Sequence, residues 1–108
     1  MLTKIALLLT LTGSSAFAST SHQRQLRAVV AETHEAQTAL FQHKPAIARH
    51  LISDAIRRDE RLRRACDSNE LREVAGELSL ARGEIKAGLI GPANAELAKV
   101  RAPTAPGC

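Results

Sequence analysis

Aromatic side chains are nearly missing from this chain. It has no Trp and no Tyr, and its two Phe are Phe17 and Phe41. A sheet is not expected, because strands draw on aromatic and β-branched residues in alternation and no such pattern occurs. Nucleic-acid binding is not expected either, since no stacking aromatics accompany the arginines. Cysteine is scarce as well: Cys66 and Cys108 are the two, far outside CxxC spacing, which excludes a redox or metal-ribbon motif. No CxxCH for haem, no HxxxH or HxxE for a metal, and no Gly-rich phosphate loop is present. The serines beyond the N-terminal stretch (Ser21, Ser53, Ser68 and Ser79) lack a nucleophile elbow, and the carboxylates fall mostly in charged runs. The chain is therefore not expected to be an enzyme, and no cofactor is called for.

What is present begins with an N-terminal leader. Lys4 supplies a positive start, residues 5–11 are apolar, and Ala16-Phe17-Ala18 is a small-x-small cleavage site. This predicts a Sec-type signal peptide over 1–18, cleaved after Ala18, and hence a periplasmic or secreted protein without a stable membrane anchor. The predicted mature chain comprises a helical domain at 19–101 and an extended Pro-rich tail at 102–108. Net charge is +4, or +3 without Lys4, a mild basic balance pointing to envelope surfaces or acidic partners. In an oxidising compartment Cys66 and Cys108 read as a disulfide, worth roughly 4 kcal/mol by chain entropy. A bridge between two molecules through Cys108 is the competing reading.

Hydrophobic spacing predicts an all-α fold. Leu26, Val29, Val30, Thr33, Ala36, Gln37 and Leu40 recur at steps of three and four, as do Ala48, Leu51, Ile52, Ala55, Ile56 and Leu62. Pro45 suits a helix start and poorly suits an interior. Helices are thus expected at about 24–42 and 45–64, folded back at a corner around His43 and Lys44. A third helix follows Asp67, Ser68 and Asn69, where Asp67 with Glu70 has the form of a capping box. Its stripe is Leu71, Val74, Ala75, Leu78, Ala81, Ile85 and Leu89. Pro92 is expected to open a fourth helix, with Ala93, Leu97 and Val100 inward. The corners at Pro45 and Pro92 look like two copies of one unit, 47 residues apart. The expected architecture is two antiparallel helical hairpins, forming a small four-helix bundle or a tetratricopeptide-like pair.

Several residues stand out as candidates for function. Arg57, Arg61 and Arg64 offer an anion or acidic-partner patch, against the plainer reading of a solvated helix end with Asp54–Arg58, Asp59–Arg63 and Glu60–Arg64 pairs. His34, His43 and His50 surround the first corner. As pH-responsive groups at a helix seam they would loosen the bundle on acidification; otherwise they are surface residues. Gly76 and Gly83 share a helix face, which suggests close approach of another backbone, from within the chain or from a partner.

Residues 36–51, from Ala36-Gln37-Thr38-Ala39-Leu40-Phe41 through His43-Lys44-Pro45 to Ala48 and Leu51, with Ala55 closing the motif, resemble the first hairpin of the YfdX family. Ala93-Asn94-Ala95-Glu96-Leu97 is similar to a later hairpin of that family. The resemblance implies an α-helical periplasmic protein linked to envelope or acid stress, and supplies no catalytic residues. The expected function is therefore non-enzymatic binding of a client or peptide by a periplasmic helical protein. The alternative is a structural protein that dimerises through the Gly76/Gly83 face or through Cys108.

Overall fold

The computed structural model describes residues 2–101, with side chains from residue 21 onward. It contains four helices and, among the described residues, no strand: α1 Leu2–Phe41, α2 Pro45–Ala65, α3 Asn69–Lys86 and α4 Ile90–Ala98. Each helix packs on its neighbours in sequence, and α1 closes against α4, while the diagonal pairs stay apart. This is an up-down-up-down four-helix bundle made of two antiparallel hairpins. Helix α1 is longer than the expected 24–42 segment, its backbone being helical from Leu2. The tail at 102–108 lies outside the described residues. No helix among the described residues is long and apolar enough to cross a membrane.

The expected stripes form the core. Val29, Ala36, Leu40, Ala48, Ile52, Ala55, Ile56 and Leu62 are buried from the first hairpin, and Leu71, Val74, Leu78, Ala81, Ile85, Ala93, Leu97 and Val100 from the second. Leu89 leaves its predicted stripe and is exposed, because α3 has already ended. Buried Thr33 satisfies its hydroxyl by donating to the Val29 carbonyl at 2.8 Å.

Both corners are Schellman motifs. At the first, the His43 and Lys44 N–H groups donate to Leu40 O and Ala39 O at 3.1 and 2.8 Å. At the second, Gly88 and Leu89 donate to Ile85 O and Glu84 O at 3.0 and 2.8 Å. The pivot residues, His43 at φ 59° and Gly88 at φ 81°, occupy the left-handed region that this cap requires. The pivots are 45 residues apart rather than 47. In that register Val29 matches Val74, Ala36 matches Ala81, Leu40 matches Ile85, Ala48 matches Ala93 and Ile52 matches Leu97, and all ten are buried. The prolines misalign the copies because they serve different positions. Pro45 opens α2, whereas α4 starts at Ile90 and Pro92 is its third residue, where a missing N–H still leaves no helical bond unmade.

Between the hairpins the cap is Ser68, whose Oγ accepts from the Leu71 N–H at 3.2 Å. Of the three candidate caps, Asp67, Ser68 and Asn69, it is thus Ser68 that serves, while Asp67 forms an ion pair with Arg72. That pairing holds the Asp67 carboxyl below its usual pKa, chiefly through the hydrogen bond from Arg72.

Candidate functional site: the corner end of the bundle

The antiparallel packing brings both corners to one end of the bundle. That end is apolar and exposed. Phe41, the last residue of α1, is 83% exposed, and Ile47, Leu89 and Ile90 are exposed around it. Each lies at a helix terminus or in its first turn, where the interior stripe has run out. Beside Phe41, at the α1–α4 seam, a cleft of about 360 Å³ is lined by Gln37, Thr38, Gln42 and Asn94. The Gln37 amide donates across it to Asn94 Oδ1 at 3.4 Å.

The segments that form the two corners carry charge of one sign. No acidic residue lies between Glu35 and Asp54, or between Glu84 and Glu96. Lys44, Arg49 and Lys86 are exposed there. The opposite end, by contrast, carries Asp59, Glu60, Arg61, Arg63, Arg64, Asp67 and Arg72 intermingled. A groove of this composition suits a partner that presents apolar side chains next to carboxylates.

The arginine patch does not converge. Arg57, Arg61 and Arg64 lie on the exposed side of α2, but Arg57 is ion-paired to Asp54. Arg61 faces Ser21 and His22 of α1, while Arg64 lines a separate cleft with Glu60 and Asp67. Of the expected i,i+4 pairs, Asp59–Arg63 forms, at 3.0 Å. Arg58 reaches away from Asp54 to α1, donating to Glu32 Oε1 at 2.6 Å and Gln25 Oε1 at 2.8 Å.

None of the three histidines is buried between helices. His34, His43 and His50 are all exposed, with His50 Nε2 3.7 Å from Asp54 Oδ2. His50 alone borders a cleft between two helices, α2 and α3. His43 matters instead as the pivot of the first corner. Among the described residues, no three of His, Cys, Asp or Glu gather as a metal cage would require. Gly76 and Gly83 are exposed, and a Cβ added to either would meet nothing within 4 Å. Among the described residues no neighbour within the chain comes close to that face, which leaves the alternative of a partner untouched. Cys66 is buried at the C-cap of α2, and its expected partner Cys108 lies outside the described residues.

One titratable group escaped the sequence reading. Asp59 was placed on a solvated face, yet its side chain is 0% exposed. Arg63 holds Oδ2, and Oδ1 has no hydrogen-bond partner among the described residues. Burial pushes its pKa up to about 6, against the opposing pull of Arg63. The pattern that exposes it is Ile52, Ile56, Asp59, Leu62: the acid occupies a place in the apolar stripe. The Glu77 carboxyl on α3 is also raised, by burial and then by Glu96 and Glu73.

Comparison with protein-family models finds no match. Neither curated proteins nor solved structures give a match.

Proposed function

We propose that this is an exported, non-enzymatic helical protein that holds an apolar and acidic segment of another polypeptide at its corner end. The observation that carries this reading is Phe41. It is the one aromatic residue beyond the expected leader, and it stands 83% exposed in a chain whose core must be built from aliphatic residues alone. Phe41 shares its end with exposed Ile47, Leu89 and Ile90, and apolar groups clustered on a monomer's surface mark interaction sites. Lys44 and Lys86 at the rim favour carboxylates on the bound segment. The signal-peptide pattern and the likeness of residues 36–55 to a YfdX hairpin support a periplasmic, stress-linked setting. The Cys66–Cys108 bridge belongs to the same proposal, as the tie of the tail to the far end of the bundle.

The test is suppression of aggregation of a thermally unfolding client protein. The wild-type protein is expected to suppress it, and Phe41→Ser combined with Leu89→Ser to lose at least fivefold in potency with an unchanged helical spectrum. Equal protection by the double variant would remove the corner end from the mechanism.

A second reading, assembly, is favoured by Leu80. It is 53% exposed on the same side of α3 as exposed Gly76 and Gly83, where an added Cβ would meet nothing within 4 Å. Sedimentation of the wild type against Leu80→Glu distinguishes the two, since only a dimer through this face would be broken. Non-reducing electrophoresis reports separately on a covalent dimer through Cys108.

A further inference from the structure

We infer that the cleft between α2 and α3 binds a phosphoryl oxyanion. The cleft has a volume of about 580 Å³ and is lined by Arg49, His50 and Ser53 of α2 and by Ser79, Arg82 and Lys86 of α3. Three permanent cations thus face one space, and among the described residues no carboxylate lines it. Arg49, Arg82 and Lys86 form no ion pair among the described residues. Arg82 donates to Ser53 Oγ at 3.3 Å across the cleft, which fixes the guanidinium over it. Asp54, one residue beyond Ser53, is paired to Arg57.

The arrangement follows from helix periodicity. Arg49 and Ser53 are one turn apart on α2, and Ser79, Arg82 and Lys86 fall at steps of three and four on α3, so both rows border one groove. Three like charges held together without counter-ions raise each other's energy, and a multivalent anion relieves that repulsion. A carboxylate is satisfied by one guanidinium fork. A phosphoryl group, with three oxygens and up to two charges, suits two arginines, a lysine and the serine hydroxyls. The same chemistry arises from soluble phosphate esters and from anionic lipid headgroups.

The experiment is calorimetric titration of the whole protein with pyrophosphate at low salt, alongside co-sedimentation with phosphatidylglycerol and phosphatidylcholine vesicles. Saturable pyrophosphate binding is expected. Arg82→Gln with Lys86→Gln should weaken it at least tenfold without lowering the thermal midpoint, because both side chains are exposed and their removal relieves mutual repulsion. Arg61→Gln with Arg64→Gln should change it less than twofold, which separates a formed site from general positive charge. Binding to phosphatidylglycerol vesicles that pyrophosphate competes away would identify a headgroup as the source, and its absence a soluble ester. The inference falls if neither pyrophosphate nor phosphatidylglycerol binds saturably. It falls equally if the Arg82/Lys86 variant binds as well as wild type, if the Arg61/Arg64 variant loses as much, or if vesicle binding resists pyrophosphate.

Discussion

Asp59 sets the response of this bundle to acid. Its carboxyl is surrounded by core, has one oxygen without a partner, and titrates in the folded protein at about 6. In the unfolded chain it titrates near the ordinary aspartate value of roughly 4. Between those two values the folded protein holds the proton more tightly, so stability falls as pH rises through the window. Below it Asp59 imposes no ionisation penalty; above it the penalty is complete, about 3 kcal/mol for a shift of this size. Urea unfolding at pH 4.5 and pH 7 is therefore expected to show a gain toward acid in the wild type, and Asp59→Asn to flatten that slope and to be more stable at pH 7. Asp67 acts with the opposite sign at lower pH. Its carboxyl is held below the usual range by Arg72, so its stabilisation is present above the unfolded value and lost as pH falls through the lowered one. The contribution of Asp59 is thus expected to tighten the core on mild acidification, opposite in sign to the histidine loosening that the sequence suggested.

At the level of the helices, the two corners make the clearest test, because one cap is built around glycine and the other is not. Gly88 sits at φ 81° without conformational cost, whereas His43 holds φ 59° with a Cβ, and a side chain in that region costs roughly 1–2 kcal/mol. Gly88→Ala is expected to lower stability by about 1 kcal/mol, with space for the methyl group and only the backbone opposed. His43→Gly is expected to raise it by about 0.5–1 kcal/mol, after the unfolded chain's gain in freedom is subtracted. Thermal melts of both variants check the pair. The same corners show what the sequence could and could not disclose. Apolar spacing located every helix and most of the core, since burial of Ile52, Leu78 or Leu97 depends only on position along a stripe. The repeat was legible but shifted by two residues, because proline was used as the marker and the αL pivot, which a His can fill, carries no comparable signal. Arg58 was assigned a partner on its own helix, since sequence spacing cannot weigh an i,i+4 neighbour against Glu32 and Gln25 on a helix packed alongside. The Arg49, Arg82 and Lys86 cleft was invisible for a similar reason: its two rows lie some thirty residues apart and meet only when α2 packs on α3.

Taken whole, the bundle has two unlike ends. The 45-residue register pairs α2 with α4, but α2 runs from Pro45 to Ala65 while α4 stops at Ala98. Among the described residues, four helices therefore surround the corner half and three surround the far half. The corner half contains Ile52, Leu78 and Leu97, all 0% exposed. The far half relies on Leu26, Val29, Ile56, Leu62, Leu71 and Val74, with ionisable Asp59 among them. A three-helix layer of aliphatic residues buries less area per residue and opens more readily to solvent. Amide hydrogen exchange at pH 7 is expected to be slowest at residues 48–55 and 78–85, and at least tenfold faster at 57–65 despite their helical bonds. The proposed bridge from Cys66 acts on the fast end alone, since Cys66 lies where α2 ends and α3 is about to begin. Reduction, or Cys108→Ser, should therefore accelerate exchange at 57–72 and leave 48–55 unchanged. An equal acceleration at both ends would mean that the bundle opens as one unit and that the missing length of α4 has no energetic consequence.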